Sequence, residues 1–340
     1  MNRTIASILN RAITRRGATL LLALPLLHCA STFAQGTDAS AQNWPQRPIR
    51  MVVPYPAGGS ADTVARTFGK MLSEKIGQPV IIDNKPGASG NIGTLDVMRA
   101  KADGYTLLFN PSIHVINPEI MERPPYQALE DFTPISQVAK GPLVLMVSSS
   151  LKVNSLADFV KLAKSKPKEV TFATSVIGSA SHLAEELFNK TAKVDILIVS
   201  YKGNAPALND LMGGQVSAMF DPAVTAVPLA HSGRVKALAV TGKTRLTSAP
   251  DIPTADEAGL KGFEFYTWYG LWGPKNLPEA IAKKLEAASR QVAQSQTFQK
   301  GMSDEGLQSV GSSRTDFAGL IKQESALYRS IAQQANIRAN

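Results

Sequence analysis

Pro48-Ile-Arg-Met-Val-Val-Pro-Tyr-Pro-Ala-Gly-Gly-Ser-Ala-Asp62 passes from a short β-rich run, through a turn of prolines and glycines, into a segment of helical period. Pro48 to Val53 reads as a strand. Beyond the turn, Ala61, Val64, Ala65, Phe68, Met71, Leu72 and Ile76 fall on one helical face, and Gly77 is the C-terminal stop. Val80-Ile81-Ile82 is the next strand, followed by a Gly-rich loop, a helix near Ile92 to Ala100 and a strand from Tyr105 to Phe109. Such alternation predicts an α/β fold, with a parallel, doubly wound sheet covered by helices on both faces.

The pattern starts again after Leu143 to Val147. A helix from Ser155 to Lys164, a strand from Val170 to Ala173, a helix near Ser179 to Asn189 and a strand from Ile196 to Val199 follow. Further strands are expected at Val216 to Phe220 and Val235 to Val240. After Trp268-Tyr-Gly-Leu-Trp-Gly273 two helical segments, Pro278 to Gln296 and Arg314 to Gln334, run to the end with no strand between them. Two βα sheets and a helical tail suggest that the tail packs back on the first lobe.

The N-terminal region carries Arg3, Arg11, Arg15 and Arg16 without an acid, then an apolar run from Ala18 to Leu27 and small residues near Ala34. Residues 1–34 therefore read as a signal peptide cleaved after Ala34. The run is shorter than the roughly 20 apolar residues of a spanning helix. Arg15-Arg16 also fits twin-arginine export, so the route stays open. Cys29, the one cysteine, lies in this leader, and His28 before it is the wrong kind of residue for lipoprotein cleavage. The mature chain then lacks disulfides and thiolate chemistry. Without the four leader arginines the formal charge of +9 falls to +5, a mild bias that serves ordinary solubility or steers anions, with no Lys/Arg run of the kind that tracks nucleic acid. With 44% hydrophobic residues over the full sequence, the chain can bury a sizeable core, and its mature length suggests two domains.

Four loops lie where strands hand over to helices, which is where open α/β sheets hold ligands. In Tyr55-Pro56-Ala57-Gly58-Gly59-Ser60-Ala61-Asp62 the paired glycines allow close backbone approach, and the free N–H groups of the helix start suit an anion. Asp62 would repel a carboxylate directly, so it is expected to cap the helix, hold a water or meet a donor. The second loop, Asn84 to Gly93, contains Gly87, Ser89, Gly90 and Asn91. Its glycine spacing fits neither a dinucleotide fingerprint nor a phosphate-binding loop, leaving an anion-accepting helix start or a plain turn. The third, Thr174 to His182, offers Ser175, Val176, Gly178, Ser179, Ser181 and an imidazole that lies off the apolar stripe. His182 is therefore expected to contact ligand or solvent and not to be a core residue. The fourth, Tyr201-Lys202-Gly203-Asn204-Ala205-Pro206-Ala207, supplies the one formal cation of these second-lobe loops, directed at ligand or at solvent.

Against catalysis, the sequence has no H-E-x-x-H and no nucleophile elbow, and the mature chain holds just His114, His182 and His231. The enzyme alternative is a secreted serine hydrolase using Ser179 or Ser181 with His182.

Taken in order, Pro48 to Asp62, the stretch Val80-Ile-Ile-Asp-Asn-Lys-Pro-Gly-Ala-Ser-Gly-Asn-Ile-Gly93, Asp103-Gly-Tyr-Thr-Leu-Leu108, Tyr201-Lys-Gly203 and Trp268-Tyr-Gly-Leu271 resemble the receptors of tripartite tricarboxylate transporters, the Bug or TctC-like family. The resemblance runs from about Trp44 to the C-terminus. It implies a periplasmic binding protein of the two-lobed, type II-like architecture, each lobe a doubly wound sheet, whose cleft closes on ligand. On that basis residues 44–143 with 266–340 form the first lobe and 144–265 the second. It also implies no catalysis and no cofactor, a monomer, and two kinds of partner: a small carboxylate and the integral-membrane permease subunits. A receptor presenting its liganded form to a sensor kinase is the binding-only alternative. Family ligands include di- and tricarboxylates, acidic amino acids and aromatic acids, held by the loop matching Pro54 to Asp62 and by second-lobe loops, partly through water. The distal end of the ligand is then selected by Pro111, Ser112, Val176, Ile177, Asp221 and Pro222. The chain departs from the family at Pro274-Lys-Asn-Leu-Pro278, a turn leading into the tail and expected to alter the hinge surface more than the pocket.

Overall fold

The computed structural model describes residues 43–334 and 337–338. The leader, its cleavage after Ala34 and Cys29 lie outside the described residues. Strands β1 (Ile49–Val53), β2 (Val80–Asn84) and β3 (Thr106–Pro111) run parallel in the order β2-β1-β3. Each connection carries a helix back across the sheet, α1 (Ser60–Ile76) and α2 (Asn91–Met98), as a parallel pair requires. Helix α1 lays Val64, Ala65, Phe68 and Leu72 against the strands, all fully buried. It ends where Gly77 turns left-handed at φ 72° and returns its N–H to the Ser73 carbonyl at 2.9 Å, a conformation that costs glycine least.

A second parallel set follows α3 (Ile113–Ile120), β4 (Phe132–Ser148) and α4 (Leu156–Ser165). There β5 (Thr171–Thr174) sits between β6 (Leu197–Ser200) and β7 (Ala218–Pro222), with α5 (Ala180–Ala192) and α6 (Asn204–Met212) as the crossovers. Helix α7 (Ala223–His231) and β8 (Val235–Val240) lead to β9 (Tyr266–Pro274). The long β4 joins the two sets: Phe132 to Pro142 pair antiparallel with β9, and Leu143 to Ser148 pair with β7 and β8. One curled sheet path, β2-β1-β3-β9-β4-β7-β5-β6, results.

The tail folds onto the first set. Helices α8 (Glu279–Gln294) and α9 (Gln296–Asp304) pack on α1, with Phe298 edge-on to Phe68 at 6.1 Å. Helix α10 (Arg314–Gln334) packs on α3 and also reaches α5. Two expectations are corrected here. The helix expected to run to Gln296 breaks at Ser295, whose hydroxyl accepts the Phe298 N–H at 3.3 Å and starts α9. The tail is not strand-free either, because β10 (Gln308–Ser309) pairs with Lys140 and Ala139 of β4. Four further elements carry no readable period. The first half of β4 holds Pro134, Gly141 and Pro142, and its pairing with β9 shifts register twice, after Pro134 and after Gln137. Strand β9 is buried almost throughout, so nothing alternates along it. Helices α3 and α7 contain Pro118 and Pro228. Among the described residues no helix is long and apolar enough to cross a membrane.

Candidate functional site

The carboxyl ends of β1, β3, β5, β6 and β7 meet around one cavity of about 330 Å³. Each of these strands is followed by a helix of at least eight residues, and the starts of α1, α3, α5, α6 and α7 all line it through Ser60, Ile113, Ala180, Asn204 and Pro222. The N–H groups of a first turn have no partner within their own helix, so these starts turn partial positive charge toward the same space. Between them the wall is apolar, with Pro56, Ala57, Pro111, Val176 and Leu208. Lys202, itself exposed, adds a full charge at the rim.

The first loop contributes Tyr55, Pro56, Ala57, Gly58, Gly59 and Ser60 to this lining, the third Ser175, Val176, Ser179 and Ser181, and the fourth Lys202 and Gly203. Pro111, Asp221 and Pro222 also line it. Asp62 does not. It is buried behind the loop, where it accepts the Gly58 N–H at 2.9 Å, Arg66 Nε at 2.9 Å and Asn84 Nδ2 at 3.0 Å. Burial works against its ionised form, but these three donors outweigh burial and hold the carboxyl below its ordinary value. Asp62 thus braces the loop and takes up the Gly58 amide, leaving the amides at the start of α1 to face the cavity.

Gly87, Ser89, Gly90 and Asn91 also lie off the cavity and form its support. Gly90 holds φ +88°, and a Cβ there would come within 2.7 Å of the Tyr55 hydroxyl. The Asn117 amide secures this turn by donating to the Ser89 carbonyl at 2.9 Å. Ser112 is buried, 3.4 Å from the Thr267 hydroxyl. Tyr201 points away, donating to Asp210 at 2.7 Å. Gly178 packs on Ile120, and its N–H goes to His182 Nδ1 at 3.1 Å.

His182 is a correction. It is 8% exposed and does not line the cavity, and burial lowers its pKa to about 4. Leaving the apolar stripe did not bring it out, because α5 is covered on more than one side, by the sheet and by α10. With Nδ1 committed to Gly178 and Nε2 3.9 Å from Glu186, the imidazole is not placed as a base for Ser179 or Ser181. His182 and Ile177 face a second, smaller hollow instead.

Pattern reading missed several lining residues: Ala61, Ile113, Asn204, Leu208, Thr225, Thr267 and Tyr269. Thr267 and Tyr269 arrive on β9, distant in sequence from every glycine-rich loop. Asn204, one residue beyond Tyr201-Lys202-Gly203, could have been found as the start of a helix.

Residues 64–337 match the description "Tripartite tricarboxylate transporter family receptor". A structure of the periplasmic binding protein BugD is 33% identical with a TM-score of 0.81, covering 87% of this chain and 100% of that one. Rpa4515 of R. palustris, solved with adipate, is 34% identical with a TM-score of 0.84 over 87% of this chain and 99% of its own. MatC from Rhodopseudomonas palustris, with bound malate, is 32% identical with a TM-score of 0.78 over 85% and 99%.

Proposed function

Because the chain belongs to the tripartite tricarboxylate transporter receptor family, we propose that it captures a small carboxylated metabolite in this cavity and hands it to a membrane permease. The family is one of solute-binding receptors, and the fold is that of the two-lobed periplasmic binding proteins. The observation that carries the proposal is the convergence of five helix N-termini from both strand sets on one largely apolar cavity. An anion held there gains hydrogen bonds from unpaired amides while its carbon skeleton leaves water. The adipate and malate of the two neighbours are acids of the same class.

In this reading the carboxylate rests against Ser60 and Ala61, with Ser179 and Ser181 across the cleft and Lys202 at the rim. Two bodies, residues 44–143 with 266–340 and residues 144–265, close over it. Ligand binds the folded state, so it raises the unfolding temperature by mass action. A thermal-shift screen of dicarboxylates, tricarboxylates, acidic amino acids and aromatic acids is expected to show a clear upward shift with at least one class. Lys202→Ala should weaken that ligand by about twofold to fivefold, as loss of an exposed charge contact would. Absence of any shift would sink the proposal. Loss of uptake on gene deletion separates delivery to a permease from signalling.

A further inference from the structure

One wall of the cavity has an excess of acceptors. Asp221 ends β7, is 1% exposed, and receives two side-chain donors, the Thr225 hydroxyl and, at 3.5 Å, Asn204 Nδ2. Both reach Oδ2 and both are neutral. Behind it, Glu185 of α5 is fully buried, its carboxyl near the Phe220 N–H and Thr174 but without a well-formed hydrogen bond to either oxygen, and the two acids repel each other. Asn204 Oδ1 is likewise buried and unpartnered. Tyr269 of β9, 1% exposed and also lining the cavity, has a hydroxyl that lies near Ser60 without a well-formed hydrogen bond. No cation answers Asp221 from within the wall, since Lys202 sits out at the rim. A buried carboxyl with an oxygen to spare is costly until a donor meets it.

Resting on the carboxylate-receptor reading above, we infer that the ligand carries, besides its carboxylate, a hydrogen-bond donor group, an ammonium or a hydroxyl, which Asp221 accepts. The cavity is then a receptor for amino- or hydroxy-substituted acids, and unsubstituted acids are poor ligands, di- and tricarboxylates because they present another acceptor to the acid wall and monocarboxylates because they present no donor. Burial pushes the Asp221 carboxyl up to about 7, against the donations from Thr225 and Asn204. The ionised form that accepts best is therefore gained as pH rises through that range, and affinity for a donor-bearing ligand should rise with it. The groups facing Asp221 are Glu185 of α5, with Glu186 beside it, and Tyr269 of β9, with Lys202 out at the rim. Burial raises both glutamates and Tyr269, and His182 gains its proton at about 4.

The test is calorimetric titration of the intact protein with three matched series: succinate, aspartate and malate; butyrate, gamma-aminobutyrate and gamma-hydroxybutyrate; benzoate, para-aminobenzoate and para-hydroxybenzoate. In at least one series the substituted acid should bind about tenfold or more tighter than its parent. The isosteric Asp221→Asn should remove most of that preference, and wild-type affinity should increase between pH 5 and pH 8. Parents that bind as well as their substituted forms overturn the inference. So does an affinity that falls as pH rises, the sign of a protonated Asp221 donating to a second ligand carboxylate, and this readout does not depend on the variant folding. Tight binding of parents alone leaves the carboxylate-receptor reading standing, whereas no binding by any acid removes both.

Discussion

His114 has no hydrogen-bond partner on either ring nitrogen and is enclosed by Tyr126, Phe132 and Trp272, with ring centroids at 4.9, 4.7 and 4.6 Å. Burial lowers its pKa to about 3 from an ordinary 6.5. The unfolded chain therefore takes up this proton first as pH falls, so the stability it affects is fully present above about 6.5 and is lost toward 3. His114→Phe keeps the aromatic packing and removes the titration. At pH 5 it should unfold at higher denaturant than wild type by about 2 kcal/mol, a gap that narrows by pH 8. A gap independent of pH would mean the imidazole titrates normally in the fold.

Among the elements, β9 and the turn before α2 act through glycines. A Cβ on Gly270 would stand 2.4 Å from the Phe317 ring of α10 and 2.7 Å from Trp272. Gly270→Ala should therefore cost about 1–3 kcal/mol in a denaturant titration by forcing α10 off the sheet. Gly90→Ala is a different kind of change. The new methyl meets the movable Tyr55 hydroxyl, and φ +88° adds strain on the order of 1 kcal/mol. Its effect should be larger on ligand affinity, measured by calorimetry, than on the thermal midpoint. Equal proportional losses would show that the turn supports the fold and not the binding loop.

For the whole molecule, β4 and β9 tie the two strand sets together, and the cavity draws its walls from both. If ligand closes the two bodies, saturating ligand should lower the radius of gyration in small-angle scattering and slow amide exchange at Gly59, Ser60 and Ala180. An unchanged radius with slowed exchange would point to a site already closed without ligand.

What could be read in the sequence was local. The strand ending at Val53, the face of α1, the stop at Gly77 and the cavity loops at Tyr55 to Ser60 and Ser175 to Ser181 follow from period, turn chemistry and helix starts within a few residues of each other. Those interactions are set by neighbours in the chain, so the chain displays them. The rest is decided by partners far away. Asp62 turns inward because Asn84 of the next strand meets it there, along with Arg66 one helical turn on, and His182 is covered although its helical face carried no sign of it. Strand β9 exists because β3 and β4 flank it, and it alone brings Thr267 and Tyr269 to the cavity. A hydrogen bond or a packed face that spans a hundred residues of sequence leaves no period behind, and only the folded chain, where those residues become neighbours, decides it.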